Sequence, residues 1–488
     1  MDKRSPGSPQ LPKSLHEVLS AMGEKQRRVF GQYLNFEPFN SLQRLTQLHE
    51  LIQSHFFAKS SPKQSWDDAL KQAGINVQQL DKLLSYLQLR LDQFLAMQQL
   101  SQSPHRFLSY TLEAYNALKV DAGTREKKLR QIRKRISGEP QSTEQLQQLI
   151  NLELFAIPIR IETHAREEGS YYAELNRLID ESALVTELKA CCASINESRM
   201  RKLPSPDARI RQLRERLTAY PGSLPEIGLA YRAIFELQLS GPEGVEHYSG
   251  ALDLLTANAQ LIDRMDLWDL FGYLLNLCLP RLDGAVPGYA PLVAQIYDQL
   301  MALDLLALDG QLQPRMFKNV VSIHCRQGNY DICRRFIRDY GSLLPKEERE
   351  VLPQHCLGLV QFYEGQFRQA ADSFRQVIQA NPEDHFWGLE SRSMLLKASF
   401  HLYDELGPDE LDELMRLVDA FKMYVRRHSQ LDAYNRKCYL NFIKFFNQLL
   451  KTREGLGDQS RPSLLRAVEL EKMVTNKAWL LKVLAEKG

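Results

Sequence analysis

The stretch GLVQFYEGQFRQAADSFRQVIQANP, residues 358–382, decides how the rest of this 488-residue chain is read. Its small and turn-forming residues stand at telling places. Gly358 lies in one helix-forming run, Gly365 between two such runs, Ala370 early in the second, Phe374 one turn later and Pro382 at the end. Each has a physical task in a helix-turn-helix unit. Gly358 and Ala370 let two helices cross closely, Gly365 suits a turn that needs positive φ, and Pro382 stops the second helix.

The preceding block, MFKNVVSIHCRQGNYDICRRFIRDYGSLLP (316–345), keeps the same register. Gly328, Cys333 and Pro345 precede Gly365, Ala370 and Pro382 by an identical 37 residues. A shared offset at three landmarks argues for a repeat, slightly longer than the roughly 34 residues of the tetratricopeptide unit. These residues resemble the tetratricopeptide repeat, with two departures: Val321 stands where Gly is usual, and Gln361 where an aromatic is usual, with Phe362 beside it. Residues 227–258 and 392–425 read as eroded units whose turns, SGPEG and ELGPD, keep Gly and Pro. Over nearly its full length the chain also resembles a family of uncharacterised bacterial helical-repeat proteins. Phe30, Tyr33, Leu34, Pro38, Phe39 and Asn40, FKN at 317–319, NFIKF at 441–445 and WLL at 479–481 carry that resemblance. It implies an architecture and no activity.

Composition agrees with helices. Gly (25) and Pro (22) are sparse, Leu and Gln are abundant, and no strand-like alternation of useful length occurs. The net charge of +2 places any basic site locally. No apolar run reaches membrane-spanning length; Asp269 and Asn276 break the richest, 267–280. The start, MDKRSPGSPQLPKS, has no apolar segment behind its basic residues, so a cytoplasmic location without an export signal is expected. Seven cysteines without C-x-x-C spacing read as reduced, buried thiols.

The expected fold is all-α: a right-handed helical-hairpin solenoid, tetratricopeptide-like in its C-terminal half, with an N-terminal helical module. Residues 1–12 are read as a disordered tail, 13–100 as the N-terminal module, 101–218 as a middle helical segment and 219–488 as the repeat array. Within these, Ser14-x-x-Glu17 and Ser142-x-x-Gln145 fit capping boxes, and Asn40 is a candidate cap. Val77, Leu80, Leu84, Leu87, Leu91 and Phe94 make a seam for a hairpin within the chain. Pro158 is expected to kink or end a helix, residues 171–199 to form a long one, and LPSPD at 203–207 to serve as a linker.

Catalytic patterns are decoys or missing. His49 and His55 are six apart, on opposite faces of a helix, whereas a zinc pair needs i, i+4. The neighbours His324-Cys325 and His355-Cys356 project about 100° apart, so one of each pair at most is expected to face inward. No phosphate loop, nucleophile elbow or Cys-His signature occurs, so neither an enzyme nor a cofactor or metal is expected. Residues 66–84 can be written as a helix-turn-helix around Gly74, but the second helix runs too long and too apolar for a recognition helix.

Two functional readings remain. In the first, the concave face of the repeat array binds a protein or peptide, with Lys318, Ser322, His355, Leu359 and Phe362 as candidate contacts. For each of them the alternative is packing against the neighbouring hairpin, which for Leu359 and Phe362 weighs at least as much. In the second, a nucleic-acid-associated regulator holds phosphates on basic helices. Arg125, Lys127, Lys128, Arg130, Arg133, Lys134 and Arg135 face one acid, Glu126, and a further basic stretch spans 199–216. Its alternative is a solvated helix face.

Overall fold

The computed structural model describes residues 11–36, 43–58, 64–102, 104–163, 172–241, 244–282, 288–307, 310–380, 387–406, 411–455 and 460–485. The tail 1–10, Asn40 and Pro382 lie outside them. Among the described residues the fold is all-α, with 23 α-helices, no strand and one isolated bridge, Gln141 to Ile262. The chain divides into two compact units, one of residues 1–138 with 148–175, the other of 139–147 with 176–488.

The first unit holds α1 (Lys13–Ala21), α2 (Glu24–Leu34), α3 (Gln43–Phe56), α4 (Trp66–Gln72), α5 (Val77–Gln102), α6 (Pro104–Ala117) and α7 (Ala122–Ile136). The next helix, α8 (Thr143–Thr163), crosses the division. Along α5, Leu84, Leu87, Leu91 and Phe94 are buried and meet α2 and α3 of the same chain, with Phe94 5.3 Å from the Phe30 ring. The box expected at Ser14 does not form. The helix already begins at Lys13 behind Pro12, leaving Ser14 inside the first turn, where its hydroxyl cannot cap. At Ser142 the hydroxyl does accept from Gln145 N–H, 3.0 Å away, while the Gln145 side chain donates to the Glu139 carbonyl. Helix α8 continues past Pro158, and Leu154, whose carbonyl loses its usual donor, lies on the exposed side.

The second unit takes up α9 (Ala173–Arg201) from Asn176 onward, followed by α10 (Asp207–Ala219), α11 (Glu226–Ser240) and α12 (Val245–Ala257). Then come α13 (Arg264–Cys278), α14 (Tyr289–Ala302), α15 (Pro314–Arg326), α16 (Tyr330–Tyr340), α17 (Val351–Tyr363) and α18 (Phe367–Ala380). It closes with α19 (Trp387–Leu406), α20 (Leu411–Arg427), α21 (Ala433–Arg453), α22 (Arg461–Leu470) and α23 (Lys477–Ala485). One aliphatic and aromatic core runs from α9 to α17, and further clusters fill the space from α17 to α23.

The two turns at the repeat landmarks are alike in detail. Gly328 has φ +75° and Gly365 φ +80°, a region that favours glycine. At each, the following N–H bonds back over five residues, Asn329 to His324 O and Gln366 to Gln361 O, both 2.9 Å, which closes the helix end. The close crossing is equally concrete. A Cβ on Gly358 would lie 2.7 Å from Phe374 Cε1, and Ala370 is fully buried. Cys333, at the register of Ala370, is also fully buried, its thiol 3.5 Å from the Val321 carbonyl. All seven cysteines are free and buried.

Candidate functional site

Helices α15, α17 and α19 bring the candidate contacts together around one carboxylate. Lys318 on α15 donates to Glu390 Oε1 on α19 at 2.5 Å. From α17, His355 Nε2 lies 3.5 Å from Glu390 Oε2, while its Nδ1 is 2.8 Å from Ser391 Oγ. Burial alone would raise the Glu390 carboxyl, but the His355 imidazole and the Lys318 ammonium outweigh it and bring it down to about 2. Ser322 is half-buried and Leu359 buried, the latter in the cluster with Phe374. Phe362 is half-buried, edge-on to Phe367 at 5.6 Å, with Lys397 Nζ 5.5 Å from its centroid. Lys318, His355 and Phe362 therefore belong to an internal polar and aromatic network, and Ser322 stands at its edge without a hydrogen-bond partner among the described residues.

Sequence reasoning missed Glu390, Ser391 and Lys397. Helix α19 is buried on nearly every side from Trp387 to Leu402, yet carries Ser391, Ser393, Lys397 and Ser399 among the buried residues. The signal was present in WGLESRSMLLKASFHLY, a helix with polar residues but no polar face. Lys397 Nζ donates to Asn476 Oδ1 at 3.1 Å, and burial lowers its ammonium to about 8.

The expectation that only one of each His-Cys pair faces inward is corrected. His324, Cys325, His355 and Cys356 are all buried, because α15 and α17 are each covered by helices on more than one side. No group of three metal-ligating side chains assembles among the described residues. His49 is a core residue set edge-on against Phe30 at 5.0 Å, and His55 packs on Trp66.

On α7 the cations divide between two faces. Arg125 turns inward to Glu162 at 2.5 Å, and Arg133 pairs with the fully buried Glu153, which Arg160 also meets at 2.9 Å. Lys127, Arg130, Lys134 and Arg135 are exposed and Lys128 half-buried; Arg130 reaches Glu126 only at 3.9 Å.

The second basic stretch borders an open cavity of about 680 Å³ where α9 ends and α10 begins. The expected linker LPSPD forms part of its wall as a tight connection. Arg214 pairs with Glu236 at 3.0 Å, Arg216 with Glu187, and Arg199 with the Gln238 carbonyl.

No helix among the described residues is long and apolar enough to cross a membrane. Comparison with known proteins gives no relative to argue from: no family model matches the chain, and no curated protein or solved structure matches it.

Proposed function

We propose that the chain is a non-enzymatic interaction scaffold of bacterial, cytoplasmic type. In this reading its C-terminal half is a right-handed, tetratricopeptide-like solenoid whose concave face takes an extended protein or peptide segment. One observation carries it: from α11 onward helices repeatedly meet both their next neighbour and the one after, as in α11 with α13, α12 with α14, α15 with α17 and α17 with α19. That is the packing rule of stacked hairpins, which present successive first helices along one face. Lys318 and His355 share a register on that layer, as do Ser322 and Leu359.

The test is capture of the tagged full chain with its bound material, with and without nuclease and at two salt concentrations. A defined protein retained throughout, and lost from a Ser322→Arg variant that melts normally, is the expected result. Recovery of nucleic acid alone, removed by nuclease or salt, sinks this reading.

A nucleic-acid-associated regulator is the second reading, favoured by the exposed strip Lys127, Arg130 and Lys134 on α7, whose i, i+3, i+7 spacing sets three cations in line. It requires oligonucleotide binding that weakens steeply with salt and is abolished when these three become Glu. Binding unchanged in that variant removes the case for α7.

A further inference from the structure

Outside the α15–α19 network, cations gather around a cavity at the junction of α9 and α10. Arg199, Lys202, Arg211 and Arg214 line it against a single carboxylate, Asp207, in a chain whose net charge is only +2. Between them the wall mixes Ile195, Leu203, Ile210 and Leu239 with Ser198, Ser205 and Gln238, and Ile195 and Ile210 are buried. The cavity is open, of about 680 Å³, and mostly polar in its lining residues, a volume that suits a small polar ligand.

The pairing of the cations matters more than their number. Arg214 and Arg199 are held by Glu236 and the Gln238 carbonyl, which fixes their heads at the rim. Lys202 and Arg211 have no hydrogen-bond or ion-pair partner among the described residues. Lys202 also occupies the left-handed region, φ +54°, at the end of α9, where Leu203 N–H closes the helix onto Ser198 O at 2.9 Å. Glycine is the unstrained choice at that position, and the lysine places a cation on the wall instead. Opposite in sequence direction, α10 starts at Asp207 with Pro206 as its cap and no side chain accepting from its first N–H groups, so the positive end of a 13-residue helix adjoins the same wall.

A second, independent observation concerns Gln238. It lines the cavity, is 2% exposed, and donates through Nε2 to the Cys192 carbonyl at 3.1 Å. Its Oε1 is buried with no hydrogen-bond partner among the described residues. Buried amide oxygens are nearly always satisfied, so this one calls for a donor.

We propose that this cavity binds a small phosphorylated molecule, with the phosphate on Lys202, Arg211 and the start of α10, and the hydroxyl-bearing body of the same molecule against the polar lining formed by Ser198, Ser205 and Gln238. A polynucleotide fits less well, because it requires cations spaced along a groove, whereas these surround the volume of one small ligand. The site is independent of the scaffold reading.

The test is calorimetric titration of the full chain with ribose 5-phosphate, with inorganic phosphate and ribose as separate arms and a single-stranded oligonucleotide as competitor. Ribose 5-phosphate is expected to bind one saturable site at least about tenfold tighter than inorganic phosphate, with ribose inert, since the site holds both ends of the ligand. Arg211→Ala, an exposed position that leaves the core untouched, is expected to weaken it about tenfold or more, the usual worth of a charge-assisted contact to phosphate. Absence of saturable binding by either phosphate arm up to about 10 mM overturns the proposal, as does binding indifferent to Arg211→Ala. An oligonucleotide that displaces the ligand and depends on Arg211 assigns the surface to nucleic acid and overturns it equally.

Discussion

Lys318 and His355 stand at the same register, 37 residues apart on successive first helices, and both reach the carboxylate of Glu390. One acid thus joins α15 to α19 across α17. Glu390→Ala leaves the half-buried Lys318 without its counter-charge. A third of the Glu390 side chain is exposed, and solvent screening holds the expected loss to about 2 kcal/mol, read as a lower denaturant midpoint at pH 7. The sign with pH follows from the lowered carboxyl. Its contribution is full above the ordinary value of 4.5 and is lost as pH falls toward about 2. The midpoints of the wild type and of Glu390→Gln should therefore converge in acid; a gap that persists undiminished to about pH 2 refutes this account.

The Gly358 and Phe374 contact predicts that Gly358→Ala destabilises by roughly 1–3 kcal/mol through overpacking. Phe374→Leu in the same background should return part of that loss in thermal melts. Gly365→Ala meets no neighbouring atom, so its cost is backbone strain alone, about 1 kcal/mol, and no change at Phe374 should relieve it.

His49 gives the first unit an acid-side dependence. Burial, then the Arg27 charge, lowers its imidazole to about 4, so the unfolded chain takes up the proton first. Stability from this group is full above about 6.5 and declines until about pH 4, by roughly 3 kcal/mol in all. His49→Phe should flatten that slope in urea titrations across the interval. An unchanged slope would place the dependence elsewhere.

Lys397 acts on the alkaline side with the same sign. Its ammonium is lowered to about 8 by burial, against an ordinary 10.5, so the wild type gains stability as pH rises through that window. The buried thiols and tyrosines, raised by the same burial, oppose it in both proteins. Subtracting the Lys397→Met curve isolates the lysine, and the difference should move in favour of the wild type between pH 8 and 10. A flat difference excludes the assignment.

Local chemistry was legible where one residue type serves one backbone task. Gly328 and Gly365 announced their turns, Ser142 its cap, and the Leu84 to Phe94 seam its partner helices. Ser14 was misread because a capping pattern does not say which residue begins the helix, and Pro12 began it earlier. The His-Cys pairs were misread because the angle between neighbours limits burial only when a helix has one covered face. Glu390 and Lys397 stayed hidden for a related reason. Charged residues in sequence suggest solvent, and only packing on all sides of α19 reveals that these are interior groups answering to other helices.

The free cysteines have a practical consequence. They sit on α9, α13, α15, α16, α17 and α21, all in the second unit and all closed to solvent, so modification of each by a thiol reagent must wait for its own helix to open. The chain carries its own set of timers along the array. If the hairpins come apart from the end, Cys438 reacts well before Cys356; a single shared rate would instead mean that α9 to α23 opens as one body.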